Sequence, residues 1–129
     1  MYSTICQYIG MNIGPFEILD PVPELINPHA LVSIRPWIDV GSSATIALER
    51  LERHFHAREL GRISRPGVFY DFTRYRPNVG GKGRRRTVTV PNTVIKYAKT
   101  YGGTDLLFLH LLEPHGMNEA YTNAISDMF

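Results

Sequence analysis

The hydrophobic pattern of the chain predicts a series of strands with two helices among them. The run Ala30–Arg35 is apolar and partly β-branched, and it stops at Pro36, which is typical of a buried strand. From about Ser42 to His56, apolar residues recur along one face of a helix, namely Ala44, Ala47, Leu48, Leu51 and Phe55. Residues 58–64 alternate weakly and predict a second strand. Strand, helix and strand in this order predict a βαβ unit with parallel strands and a right-handed crossover.

Two local interactions are predicted to support this first helix. Ser42 or Ser43 precedes its apolar face and is predicted to be the N-cap, because a hydroxyl can accept from a free backbone N–H group. Glu49 and Arg53 stand four residues apart in the order that favours an ion pair.

The second half of the chain predicts a hairpin, two further strands and a helix. The aromatic-rich run Val68–Pro77 and the β-branched run Arg84–Val90 flank a glycine-rich tip, which predicts a hairpin. Thr93–Ala98 is another candidate strand. Asp105–Leu112 has the strongest strand signal, since it is apolar on both faces like a strand in the middle of a sheet. Asn118–Phe129 has a weak helical pattern.

The first 29 residues form a different kind of segment. They hold four prolines, a density that argues against a central strand or a long helix. We therefore predict that residues 1–29 are an N-terminal leader or edge segment, in which Phe16–Leu19 forms an edge strand or lies over the core. One α/β domain is predicted over residues 30–129. The last helical pattern ends without a cap signal, so the domain is expected to be incomplete.

Composition and charge exclude several classes of protein. The chain has 129 residues, enough for one domain of ordinary size. Lys and Arg number 14 against 12 Asp and Glu, and a net charge of +2 gives no argument for nucleic acid or an anionic membrane as a partner. The single cysteine, Cys6, excludes an intrachain disulfide and a cysteine-rich zinc module. The chain shows neither a membrane-length apolar run nor a signal sequence, so a cytoplasmic location is predicted.

Local motifs for cofactors and metals are weak. The segment Gly81–Gly83 lacks the flanking residues of a phosphate-binding loop, and no dinucleotide motif follows the first strand. His54 and His56 stand two residues apart and would point about 200° apart on a helix. The remaining candidate ligands match no zinc motif, and they are His110, Glu113 and His115. We therefore predict no cofactor and no metal.

A basic triplet, Arg84–Arg86, follows the glycine-rich tip, with Arg74 and Arg76 across the predicted hairpin. On a strand, Arg84 and Arg86 would face one side and Arg85 the other. The triplet is interpreted either as a solvated strand edge that resists aggregation, or as a surface for an anion or an acidic partner.

Three segments taken together carry a more specific signal than any of these features. The first follows the strand at 30–35 and contains Trp37, Asp39 and Gly41. The second is the run Phe69, Tyr70, Asp71 and Phe72, followed by Arg76 and Pro77. The third ends the strongest strand with Glu113 and Pro114. Their order and spacing resemble the proteasome assembly chaperone 2 family of bacteria and archaea.

That family typically shows a Gly-Trp-x-Asp-x-Gly turn, a Phe/Tyr-Tyr-Asp-Phe segment ending in Arg-Pro, and a Gly-x-Glu-Pro turn. The resemblance runs from about Ala30 to Phe129. Pro36 and Leu111 stand where the family commonly has glycine, which suggests a subgroup. Family members are usually about twice as long, so the chain is expected to correspond to their N-terminal half, as a fragment or a shortened reading frame.

The resemblance implies a three-layer α/β/α mixed sheet of the phosphorylase/hydrolase-like (purine nucleoside phosphorylase-like) class and a tendency to form homo-oligomers. It implies a non-enzymatic module for protein interaction or assembly, with protein partners. From the charge balance we predict that neither nucleic acid nor a membrane is a partner. The alternative is a nucleoside- or nucleotide-binding protein, or a phosphorylase/hydrolase-like enzyme, with its site at the carboxyl ends of the strands. Some members of the family carry a predicted ATP-grasp ligase label. The sequence gives no support to this label, because it shows neither a nucleotide-binding loop nor a carboxylate cluster for a metal.

The resemblance also suggests where the functional residues lie. The turns with Trp37 and Glu113 are expected at the carboxyl ends of the parallel strands, where open α/β sheets form a ligand crevice. Four aromatic residues are expected at a protein interface, namely Trp37, Phe69, Tyr70 and Tyr75. The carboxylates of Asp39, Asp71 and Glu113 are interpreted either as site groups or as turn caps that pair with Arg35, Arg74 or Arg76.

Overall fold

The computed structural model describes residues 9–128. The described residues do not include Phe129 or the first eight residues of the predicted leader, to which Cys6 belongs. The described part of the chain forms eight strands and two helices: β1 (Ile9–Ile13), β2 (Phe16–Leu19), β3 (His29–Arg35), α1 (Ser43–His54), β4 (Arg58–Ile63), β5 (Asn78–Lys82), β6 (Arg85–Thr89), β7 (Val94–Ala98), β8 (Leu106–Leu112) and α2 (Asn118–Ser126).

Six of these strands form one mixed sheet, in the order β1-β2-β4-β7-β8-β3. β3 runs parallel to β8, whereas the other neighbouring pairs of this sheet are antiparallel. β5 and β6 form a separate two-stranded sheet. The structure therefore confirms the predicted α/β class with a mixed sheet.

The two strands joined by α1 run in the same direction, as the pattern predicted. β4 is antiparallel to β7, β7 is antiparallel to β8, and β8 is parallel to β3. The predicted βαβ unit did not include the insertion of β7 and β8 between β3 and β4. β2 occupies the other side of β4, where a Cβ atom at Gly61 would lie only 2.5 Å from the carbonyl oxygen of Glu17, so glycine lets β2 approach closely. The handedness of the crossover stays a prediction.

Helices cover both faces of the sheet. Leu109 of β8 faces a cluster that contains Tyr121 and Ala124 of α2. Its neighbour Phe108 points to the opposite face and packs with Leu48 of α1. This alternation along β8 places the two helices on opposite sides, which makes three layers. Neither helix in the described residues is long and apolar enough to cross a membrane.

The segment 1–29 contributes two strands to the sheet. Phe16 and Ile18 of β2 are buried in the core, because alternate residues of this strand face α2. β2 pairs with β1 on one side and β4 on the other, so β1 rather than β2 is the outermost strand here in the described part of the chain.

The predicted first strand of the hairpin, at residues 68–77, is wrong. This stretch starts in a 3₁₀ helix at Pro66–Val68 and continues in turns, where the amides of Arg74 and Tyr75 donate to the carbonyl oxygen of Asp71. The hairpin is formed instead by β5 and β6, joined by a two-residue turn at Gly83 and Arg84. Gly83 has φ +65°, which favours glycine at this position. Because Arg84 lies in the turn, it does not share a strand face with Arg86.

Candidate functional site

A crevice of about 1030 Å³ opens at the carboxyl ends of β3 and β8. Arg35 and Leu112 are register partners at these ends, and the amide of Glu113 donates to the carbonyl oxygen of Arg35 with N···O 2.7 Å. The turns after the two strands therefore start at the same level, where the sequence predicted a crevice. The walls are mainly apolar and include Val32, Ile34, Trp37, Ile38, Tyr75 and Tyr121.

Asp39, on the crevice wall, caps α1. Its carboxylate accepts hydrogen bonds from the Thr45 hydroxyl (2.7 Å), the Ala44 amide (2.8 Å) and the Thr45 amide (3.1 Å). These bonds, the one from the Thr45 hydroxyl foremost, hold the pKa of Asp39 below its ordinary value. The predicted hydroxyl cap is wrong for Ser42, which stands at the N-cap position with φ 56° but makes no capping hydrogen bond through its side chain, and Ser43 is the first residue of the helix. Gly41, with φ +61°, turns the chain between Asp39 and the helix.

The predicted ion pair within α1 is also replaced by another contact. The guanidinium Nε of Arg53 donates to the backbone carbonyl oxygen of Glu49 at 3.3 Å, and no ion pair joins the two side chains in the described part of the chain. The side chain of Arg53 thus folds back onto the backbone of its own helix, one turn before its own position.

Phe69 and Tyr70 lie in the core beneath the crevice rather than on its rim. The hydroxyl of Tyr70 lies 2.5 Å from Thr93 Oγ1, and Tyr121 Oη lies 2.8 Å from the same atom. The amide of Leu112 also donates to Thr93 Oγ1, at 3.0 Å. Burial raises the pKa of Tyr70 far above its usual range, so this phenol stays protonated. Thr93 joins three elements of the fold, and sequence reasoning did not single it out.

Asp71 holds a turn beside the crevice. Its Oδ1 accepts from the Thr73 hydroxyl (2.6 Å) and the Thr73 amide (2.9 Å), and its Oδ2 lies 3.8 Å from Nε of Arg74. The Thr73 bonds hold the pKa of Asp71 below its ordinary value. The amide of Asp71 donates to Nδ1 of His115 at 2.9 Å. The predicted pairing with Arg74 is therefore confirmed, and Phe72 packs half-buried against the core.

Tyr75 joins the second and third sequence motifs. Its hydroxyl donates to the carbonyl oxygen of Glu113 at 2.9 Å, and its ring lies 4.3 Å from the His115 ring, centroid to centroid. Burial, and then the charge of Glu113, raise the pKa of Tyr75. Arg76 and Pro114 also line the crevice, whereas Pro77 is exposed and precedes β5.

The rim of the crevice is apolar and exposed. The turn after β3 presents Trp37, Ile38 and Val40 with 70%, 85% and 80% of their surfaces exposed. β3 itself is the outermost described strand on this side of the sheet, and it exposes about half of Val32 and Ile34. We call Trp37, Ile38 and Val40 the Trp37 rim. It is the most exposed group of large apolar side chains beside the crevice.

A second polar cluster lies on the α1 face of the sheet. Glu52 of α1 is buried, and its carboxylate accepts from Lys96 Nζ at 2.8 Å and contacts Nε2 of His110. Burial raises the pKa of Glu52, but the hydrogen bonds and charges of Lys96 and His110 outweigh this effect and hold it below its ordinary value. His110 thus serves to dock α1. Among residues 9–128, no group of three or more His, Cys, Asp or Glu side chains is arranged to hold a metal ion.

Comparisons with known proteins support the family resemblance. A protein-family model described as the PAC2 family matches residues 33–129. A search of curated proteins gives no match.

Three solved structures share the fold. A PAC2 family protein from Streptomyces avermitilis is 23% identical, with TM-score 0.69 over 79% of this chain and 44% of its own. A Mycobacterium tuberculosis protein described as a proteasome-assembly chaperone homologue is 18% identical, with TM-score 0.67 over 78% of this chain and 43% of its own. A protein of unknown function from Corynebacterium glutamicum is 18% identical, with TM-score 0.70 over 88% of this chain and 44% of its own.

The chain spans less than half the length of these solved proteins. The family model covers about three quarters of the chain, including the three motifs with Trp37, Asp71 and Glu113. The chain belongs to the PAC2 family.

Proposed function

We propose that this chain is a non-enzymatic, chaperone-like interaction module that contacts protein partners, a second copy included, through the Trp37 rim. The observation that carries the proposal is the exposure of Trp37, Ile38 and Val40 in the one turn that follows β3, where Trp37 and Ile38 also line the crevice. Contiguous exposed apolar side chains mark interaction surfaces, and tryptophan is the residue most enriched at their energetic centres. The solved neighbour described as a proteasome-assembly chaperone homologue supports an assembly role.

The side of β3 that no other described strand covers extends this surface. Val32 and Ile34 continue the apolar character of the rim along the strand, and the backbone of an outermost strand can pair with a further strand. Phe69 and Tyr70 are buried in the core, so we assign the contact to the exposed residues instead.

The state of the carboxylates also favours binding over acid–base chemistry. Asp39 caps a helix and Asp71 holds a turn, and each accepts several hydrogen bonds from neighbouring residues. A carboxylate stabilised in this way is a weak base, because its pKa lies below its ordinary value.

Trp37 is the only tryptophan of the chain, so its fluorescence reports directly on this surface. We expect self-association, followed by light scattering as the concentration rises, to be accompanied by a blue shift of the emission and weaker quenching by acrylamide. Ile38→Ser should weaken the association, whereas Tyr101→Ala should not, because Tyr101 is equally exposed but precedes β8 at the other end of the strand. Association without any change in the quenching of Trp37 would contradict the proposal.

A second candidate function is the binding of a small anionic ligand, such as a nucleotide or phosphate. The crevice favours it, because Arg35 and Arg76 line a cavity of about 1030 Å³ at the carboxyl ends of parallel strands. Adenosine monophosphate or inorganic phosphate at millimolar concentration should then raise the melting temperature, and the Arg76→Gln variant should lose this rise. An unchanged melting temperature in the wild-type chain would reject this candidate.

A further inference from the structure

The charges of the chain are segregated. Residues 72–104 contain eight of the 14 Lys and Arg residues and no Asp or Glu. The rest of the chain carries six Lys and Arg residues against all 12 Asp and Glu residues. The small net charge of +2 therefore combines a stretch of +8 with a remainder of −6. Three of the eight basic residues pair with carboxylates outside this stretch, namely Arg74 with Asp71, Lys96 with Glu52 and Lys99 with Asp105. The exposed arginines that remain favour contact with an acidic surface of another copy.

The basic stretch is presented on an exposed arm, the hairpin of β5 and β6, which we call the basic arm (residues 78–89). Arg84, Arg85 and Arg86 are exposed at its tip and along β6. None of the three forms an ion pair with another residue in the described part of the chain. Their charges are therefore available to a partner.

One face of the basic arm is also apolar. Val79 and Val88 are opposite each other in the ladder, and they are 68% and 64% exposed. Arg86 lies on the same face, opposite Gly81, because it is two residues from Val88. A two-stranded hairpin with solvent on both faces is only marginally stable, so a partner packed on this valine pair would stabilise the arm.

Exposed acidic residues flank α2. Residues 105–128 contain four acidic residues and no Lys or Arg. Asp105 is buried against Lys99, but the other three are exposed, and we call them the acidic patch: Glu113, Glu119 and Asp127. Met117, 60% exposed, lies between the first two in sequence. Glu113 and Asn118 both line the crevice, so Glu113, Met117 and Glu119 lie near the start of α2, whereas Asp127 follows its end. The start of α2 thus combines negative charge with an exposed apolar side chain, as the arm combines positive charge with a valine pair.

We infer that the basic arm of one copy contacts the acidic patch of a second copy, with Val79 and Val88 packed near Met117. A two-fold axis would form the contact twice, since each copy carries both surfaces. The inference rests on the proposed function only in requiring a protein partner, because it uses residues outside the Trp37 rim. Nucleic acid is the less favoured partner for two reasons. Its phosphates would be repelled by the excess of acidic residues outside residues 72–104, and it would leave Val79 and Val88 exposed.

The test is a charge-swap experiment read by sedimentation velocity. The wild-type chain should form dimers at low salt and dissociate as salt screens the contact. The arm variant Arg84→Glu, Arg85→Glu, Arg86→Glu should weaken self-association about tenfold or more. The control variant Arg50→Glu, Arg58→Glu, Arg65→Glu changes the net charge equally, at exposed positions outside the arm, and should still form dimers.

A second variant reverses the acidic patch: Glu113→Lys, Glu119→Lys, Asp127→Lys. Alone it should also lose the dimer, because its arm and its patch are then both positive. Mixed with the arm variant it should form a heterodimer, in which both contacts are again between opposite charges. Mixed with the control variant it should bind much more weakly, which separates the specific contact from attraction by net charge.

Dimer formation by the wild type, loss in each variant and rescue in the mixture would establish the contact. A wild-type chain that stays monomeric, an arm variant that associates like the control, or a mixture that fails to associate would each overturn it. The inference would also be overturned in favour of nucleic acid if the arm binds a labelled DNA duplex, measured by fluorescence anisotropy, while the dimer persists. The arm would then not be part of the contact between copies. Quenching of Trp37 tests the rim separately, so the two proposals can fail independently.

Discussion

The amide of Glu113 donates to the carbonyl oxygen of Arg35 at 2.7 Å, which carries the parallel ladder of β3 and β8 one step past the end of both strands. Two motifs that lie far apart in the sequence thereby meet at the crevice. The contact is made by backbone atoms, so it does not depend on the side chain of either residue.

We therefore predict that Glu113→Ala leaves the fold nearly unchanged. The side chain is exposed, and its loss should alter the free energy of unfolding by less than about 0.5 kcal/mol, measured by urea denaturation. A larger loss would show that the Glu113 carboxylate, and not only its backbone, holds the turn. Glu113→Ala should still weaken the contact between copies, which makes it a useful single variant for the acidic patch.

Thr93→Val should be strongly destabilising although the two side chains have nearly the same shape. The change removes the one oxygen that contacts the hydroxyls of Tyr70 and Tyr121 and the amide of Leu112. Buried polar groups without partners cost about 1–3 kcal/mol each, and the loss in the free energy of unfolding should be about 2–4 kcal/mol. Thr87→Val is the control, since Thr87 is exposed on β6, and an equal loss in both variants would refute the role of Thr93.

Asp39→Ala should lower the urea midpoint more than Ser42→Ala does, because Asp39 and not Ser42 accepts hydrogen bonds from the start of α1. Asp39→Asn should retain part of the effect through its side-chain oxygen. The folded-state pKa of Asp39 lies below its ordinary value of 3.8, so its contribution is complete above that pH and is lost on further acidification. If the wild type and Asp39→Asn lose stability in parallel below pH 3.8, the carboxylate charge contributes nothing.

Glu52→Gln should destabilise the docking of α1 on the sheet. Its carboxylate faces Lys96 and His110, and Lys96 is partly exposed, so we expect a loss of about 1–2 kcal/mol in the free energy of unfolding. The folded-state pKa of Glu52 is lowered from 4.5, so the wild type should lose this advantage over the variant as the pH falls below 4.5. Glu49→Gln, at an exposed position of the same helix, is the control. A stability difference between the wild type and Glu52→Gln that stays constant through acidification would show that the pKa of Glu52 is not lowered in the folded chain.

The sequence by itself determined the elements that a local pattern can encode. Alternation and helical periodicity placed β3, α1, β4, β7, β8 and α2 close to their true positions, because burial of one face imposes a period of two or 3.6 residues. The same patterns placed the turns with Trp37 and Glu113 at strand ends. Three motifs in order then identified the family, which the family model confirms over residues 33–129.

Only the tertiary structure decided which elements meet. β3 and β4 were expected to belong together, but β7 and β8 lie between them, since strand pairing depends on the apolar area buried by the whole sheet. Phe69 and Tyr70 were predicted to lie in a strand because aromatic residues favour strands. In the structure they lie in a turn and are buried in the core. The contact of Glu52 with His110 joins residues 58 positions apart. Such polar contacts have no sequence period, because they require only that two distant side chains face each other in the folded chain.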